Sequence, residues 1–137
     1  MVEAKVFEKI RQILINDNTV AGYVSDRVYT EHISSITDPV YPAISLHLLP
    51  GKAKINVPTM VEMVFQIDLW FPSGQWTADD VYACYGRIRT LLHRENTKDT
   101  SIGVTIMNIS EAGVGPMMYD EAVAGYHLPV RYNVVAI

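Results

Sequence analysis

Four histidines, one cysteine and a scatter of carboxylates are the residues of this 137-residue chain whose chemistry could reach beyond packing. His32, His47, His93 and His127 stand singly. None forms the i, i+4 pair or the H-E-x-x-H arrangement that aims two imidazoles at one metal. The expectation is surface or strand-end histidines and no metal site. Cys84 could serve as a nucleophile beside a histidine. It falls between Val81 and Ile88 on an apolar helical stripe, where cysteine behaves as a small hydrophobe. Gly113-Val114-Gly115 is too short for a phosphate loop, and no G-x-x-x-x-G-K-[ST], G-x-G-x-x-G or G-x-S-x-G occurs. Asp68, beside Trp70 in a strand pattern, is expected on a solvated strand face. Asp79-Asp80 reads as favourable charge at a helix N-terminus. The side chains therefore predict no catalytic residue, no cofactor and no metal.

Two other groups suit contact rather than chemistry. Lys52 and Lys54, with Arg87, Arg89 and Arg94, are explained by solvation, or in an assembly by pairing with acidic surface on a neighbour. Met117, Met118 and Tyr119 bring apolar bulk into a segment rich in glycine. Such residues either pin a loop to the core or form an exposed patch that marks an adaptable protein interface. Lys52, Lys54, Met117, Met118 and Tyr119 are the candidate interface.

The elements that must position these residues follow from periodicity. Val2, Val6, Ile10, Ile13 and Leu14 make one stripe of an amphipathic helix over 2–15, stopped by Asn16-Asp17-Asn18. Val20–Tyr29, broken by Gly22 and Ser25-Asp26, reads as a turn into a short extended piece at Arg27–Thr30. Pro39 and Pro42 lead into a strand at Ala43–Leu49. Pro50–Thr59 forms a loop or hairpin arm. Met60–Phe71 alternates so strictly that it predicts a strand of about 40 Å, at roughly 3.3 Å per residue, long enough to extend past the domain. Thr77 and Asp80 resemble a capping box opening a helix with Val81, Cys84, Tyr85, Ile88, Leu91 and Leu92 on one face, ending near Asn96. Ile102–Ile109 and Tyr126–Val135 read as two more strands, with Ser110–Gly125 a long loop between them. The expected fold is α+β, a mixed and mostly antiparallel sheet packed against two helices, in one domain over 1–137. Val61, Phe65, Ile67, Ile88 and Leu91 are expected in its core.

Composition bounds the function. With 11 Lys+Arg, 15 Asp+Glu and a pI of about 5.5, the chain lacks the basic surplus of a nucleic-acid binder. At 49% hydrophobic and 19% charged it is globular rather than disordered. One cysteine excludes an internal disulfide framework. No apolar run approaches the roughly 20 residues of a membrane helix, and the opening MVEAKVFEKIRQ is too charged for a signal peptide.

Several segments together resemble a family. They are V-A-G-Y-V-S-D-R-V-Y (Val20–Tyr29), D-P-V-Y-P-A-I-S-L (Asp38–Leu46), V-F-Q-I-D-L-W (Val64–Trp70) and G-Y-H-L-P-V-R-Y (Gly125–Tyr132). In this order, after an amphipathic helix, they are similar to the tail-completion or tail-terminator proteins of long-tailed bacteriophages, relatives of the lambda-type minor tail protein U. Pro129 departs from the pattern and implies an edge or a bulge in its strand. The resemblance implies a non-enzymatic virion protein of the tail or neck, assembled in the bacterial cytoplasm. It implies a homohexameric ring that caps the tail tube, ends tail polymerisation and offers a joining surface to the head-proximal neck or connector protein. No membrane and no sequence-specific nucleic acid is implied. Another neck protein of the head-completion or stopper kind fits the same residues. A small-molecule-binding or catalytic α+β domain built around Trp70 and Trp76 is the reading from a different class; it requires convergent polar groups at a pocket.

Overall fold

The structure is a computed structural model that describes residues 2–31, 33–49, 61–93, 105–121 and 124–136. Lys52, Lys54, Arg94, His32 and the arm at 50–60 lie outside these residues, as does the side chain of Val61. Helix α1 (Val2–Ile15) buries Val6, Ile10 and Leu14 completely, the stripe expected from their spacing. The next segment differs from the expected turn. Asn18–Val24 is a second helix, α2, capped by Asp17, whose carboxylate accepts from the Val20 N–H at 3.0 Å. Gly22 lowers the intrinsic helix preference here. Burial of Val20 and Val24 and the cap at Asp17 override it. Ser25, with φ of 57°, closes the helix.

Helix α3 (Ala78–Leu92) opens with the expected capping box. Thr77 Oγ1 accepts from the Asp80 N–H, and Asp80 Oδ2 accepts from the Thr77 N–H at 2.8 Å. Val81, Cys84, Ile88 and Leu92 are buried, while Tyr85 and Leu91 are only half-buried. The helix stops at Leu92 rather than near Asn96, with His93 as its C-cap.

Among the described residues six strands form one sheet: β1 (Val28–Tyr29), β2 (Ala43–Leu48), β3 (Val61–Pro72), β4 (Ile106–Val114), β5 (Met118–Asp120) and β6 (Gly125–Ala136). Their order is β1-β2-β3-β6-β4, with β5 continuing along β6 beyond the end of β4. Only β1 and β2 are parallel, so the sheet is mixed and mostly antiparallel. The long β3 does not project from the sheet as its length suggested. It is matched residue for residue by β6, from Val61 against Ala136 to Pro72 against Gly125.

The expected loop Ser110–Gly125 is largely strand. Gly113, Gly115 and Pro116 read as loop residues because they break strand propensity. Here they serve a register shift between Glu111 and Gly113 and a bend at Gly115 (φ 81°) that separates β4 from β5. That bend also accounts for Pro129 in an interior strand. The Pro129 carbonyl accepts from the Gly115 N–H at 2.8 Å, so its nitrogen faces the same break, where no ladder donor is needed.

The three helices cover one face of the sheet. Phe65, Ile67, Leu69 and Phe71 of β3 and Leu128, Val130, Tyr132 and Val134 of β6 meet Ile10, Leu14, Val24 and Ile88 there. Phe65 stacks on Tyr132 and meets Phe7 edge-on. The opposite face has a second, smaller cluster in which Ile33, Ala43 and Trp70 are buried with Tyr29 and Tyr41 against them. Trp70 and Trp76 therefore belong to different faces: Trp76 packs with Tyr23 and Phe71 on the helix side.

Candidate functional site

Two polar clusters and one apolar corner stand out from this frame. The first cluster lies on the sheet face away from the helices. Register places Ser45, Asp68 and Pro129 in one row across β2, β3 and β6, and Ala43, Trp70 and His127 in the next. Asp68 is 1% exposed, not solvated as expected. Its Oδ1 accepts from Gln66 Nε2 at 2.7 Å and lies 2.7 Å from His127 Nε2. Its Oδ2 lies 3.1 Å from His47 Nδ1. The His127 ring stacks on the Trp70 indole at 3.9 Å between centroids and 4° between planes, and Trp70 Nε1 donates to Ser45 Oγ at 2.9 Å. Two of the four isolated histidines thus converge on one carboxylate. Alternation alone carries no such signal, because it takes the pairing of β2 and β6 with β3 to bring them together. A buried carboxylate costs free energy unless it is paired; the Gln66 amide and the His127 ring supply that pairing at Oδ1, while Oδ2 lies beside the His47 ring without a hydrogen bond among the described residues. Among the described residues no group of His, Cys, Asp and Glu has a metal-holding arrangement. The Ser45 hydroxyl in this cluster is fully buried and already accepts from Trp70.

The second cluster ties α3 to β4. Glu111 accepts a short hydrogen bond from the Tyr85 hydroxyl and an ion pair from Arg89 Nε at 3.3 Å, while its N–H donates to His93 Nδ1 at 3.0 Å. Burial, reinforced by Glu111, pushes the Tyr85 phenol up to about 12. Burial also raises Tyr132, whose hydroxyl finds no hydrogen-bond partner among the described residues. A phenol held protonated and a carboxylate already shared by two donors make a brace rather than an acid–base pair. Cys84 is buried, and that burial raises its thiol to about 12, far from the thiolate a nucleophile needs.

The apolar corner is formed where β4 gives way to β5. Val114, Met118 and Tyr119 are 44%, 43% and 62% exposed. Pro116 between them is exposed too, whereas Met117 turns inward against the core. Single exposed apolar residues are ordinary, but a run of them at one corner makes a candidate contact surface. Of the candidate interface residues, Met118 and Tyr119 stand on this corner, Met117 supports it, and Lys52 and Lys54 lie outside the described residues.

No protein-family description and no curated protein matches the chain. Its fold does match a solved structure: a chain of the virion of a native gene transfer agent particle superposes with a TM-score of 0.70. The two are 12% identical, over 98% of this chain and 96% of that one, so what they share is the fold, from one end to the other.

Proposed function

We propose that this chain is a non-enzymatic structural subunit of a virion, a tail terminator that joins copies of itself into a ring on the end of the tail tube. The observation that carries the reading is the fold shared over almost its full length with a chain of a gene transfer agent virion. The family segments at Val20–Tyr29, Asp38–Leu46, Val64–Trp70 and Gly125–Tyr132 narrow it to the tail end. In this role the ring is hexameric, ends tube growth and presents a surface to the neck or connector protein. The exposed corner at Val114, Met118 and Tyr119 supplies apolar area for one of those contacts. A ring of identical subunits needs a heterologous interface whose rotation closes, so each copy must present two different surfaces. The polar clusters at Asp68 and Glu111 hold strands and helices in place and perform no reaction in it.

The test is to mix the purified chain with tail tubes and image the products. Rings seated on one end of each tube, with no further growth when tube subunit is added, are expected. Tubes that stay bare and keep growing would contradict the reading.

A further inference from the structure

We propose that the Tyr119 corner of one copy seats in the groove beside β1 of the next copy; the proposal rests on the ring reading above. Among the described residues neither edge of the sheet is suited to extension by strand addition. Strand β1 has two residues and β5 three, and β4 is interrupted by register shifts at Ile106/Asn108 and Glu111/Gly113. Short and bulged edges resist pairing with a foreign strand. Copies that meet at these edges must therefore meet through side chains. One edge offers a projection: Tyr119, 62% exposed, with the exposed Glu121 two residues on.

The other edge offers a recess. A cavity of about 310 Å³ lies beside β1, with Tyr29 and Ile36 as apolar wall and Arg11 and Arg27 as its cations. Ligand sites start at about 300 Å³, so an aromatic ring is within its capacity. Both arginines are held by backbone carbonyls, Arg11 Nε donating to Val28 O and Arg27 Nε to Pro42 O, each at 2.9 Å. That anchorage fixes the two guanidinium planes and leaves N–H groups for a carboxylate. The groove is not uniformly basic, because Asp26 and Glu31 also line it. Both are exposed while the arginines are half-buried, so a carboxylate that enters beside a phenol meets attraction and one that stops short meets repulsion. Tyr119 and Glu121 fit that sequence of apolar wall and inner cation. Since the corner and the groove belong to opposite edges of the sheet, each contact leaves the next pair of surfaces free, as a closing ring demands.

Charge exchange and cross-linking test the contact. With tail tubes present, E121R alone and R27E alone should each weaken self-association by more than about tenfold, and the double variant should recover it. Equal association of all four proteins, or no recovery in the double variant, would overturn the proposal. Because Arg27 also anchors backbone, a second measurement leaves it in place. Separate Glu121→Cys and Thr30→Cys preparations, Thr30 being an exposed residue of the groove wall, are mixed and treated with a short bis-maleimide, the buried Cys84 staying silent. A covalent dimer that requires both cysteines is expected. Its absence while the wild-type chain caps tubes would refute this contact and leave the ring reading standing. A dimer formed by a chain that leaves tubes uncapped would do the reverse. Variants that form rings but lose the tube would assign the groove to the tube protein and overturn the second copy as its occupant.

Discussion

Asp17 shows how much one carboxylate can carry. It caps α2 through the Val20 N–H and takes Arg87 Nη2 at 2.6 Å with Arg87 Nε at 3.1 Å, so a single side chain ties α2 to α3. The hydrogen bond from Arg87, with its charge, holds the Asp17 carboxyl below the usual carboxylate range. Because the folded value is depressed, the stability it contributes is present above the unfolded carboxylate value and is lost as pH falls through the folded one. Asp17→Ala should cost about 1–2 kcal/mol by chemical denaturation at neutral pH, a cap's worth and more. Its acid unfolding limb should also be shallower than that of the wild type. Tyr85 works in the opposite direction. Its phenol is raised, so its contribution is complete below about pH 10 and fades as pH climbs towards about 12. Tyr85→Phe should flatten the alkaline loss of stability over that window; an unchanged slope would mean that neither burial nor Glu111 raises the phenol. Asp68→Ala, which strands the Gln66 amide and the His127 imidazole around a buried gap, should cost about 1–3 kcal/mol. Sequence reasoning recognised the core character of Cys84 from its neighbours in the helix, but it misjudged Asp68. The partners of Asp68 stand 21 residues before it and 59 after, and only strand pairing joins them.

Elements with strong local periodicity were legible, and elements made by tertiary contact were not. The stripes of α1 and α3, the capping box and the alternation of β3 and β6 follow from residue spacing, because one face of each must leave water. Helix α2 escaped notice because seven residues with a central glycine have little helical preference of their own. The β4–β5 turn escaped for the same kind of reason, since its glycines and proline break propensity while the neighbouring β6 supplies the pairing. Phe65→Ala should cost about 3–5 kcal/mol, because a fully buried ring between Phe7 and Tyr132 leaves a cavity that cannot collapse. Leu91→Ala should cost clearly less, since Leu91 is half-buried at the margin of α3. Equal losses in thermal melts of the two variants would contradict these face assignments. Gly125 has a different constraint: a Cβ there would stand 2.0 Å from the Phe71 carbonyl oxygen. Gly125→Ala must therefore push β3 and β6 apart at the end where β5 joins.

At the scale of the whole molecule, the chain spends its apolar surface unevenly. Two strands, β3 and β6, carry most of what the sheet gives to the central core, while the corner beyond β4 leaves Val114, Met118 and Tyr119 exposed. In the proposed ring that corner gains by being covered by a neighbour. The α+β architecture could be derived from spacing alone. The proposed virion role could not, because no catalytic or binding motif marks it; the proposal rests on the resembling segments and the shared fold instead. The most direct measurement is the length and completion of tails, by electron microscopy, in particles assembled with and without this chain. Overlong tails without heads are expected when the chain is absent, and tails of uniform length joined to heads when it is restored. Tails of normal length joined to heads in its absence would contradict the proposed role.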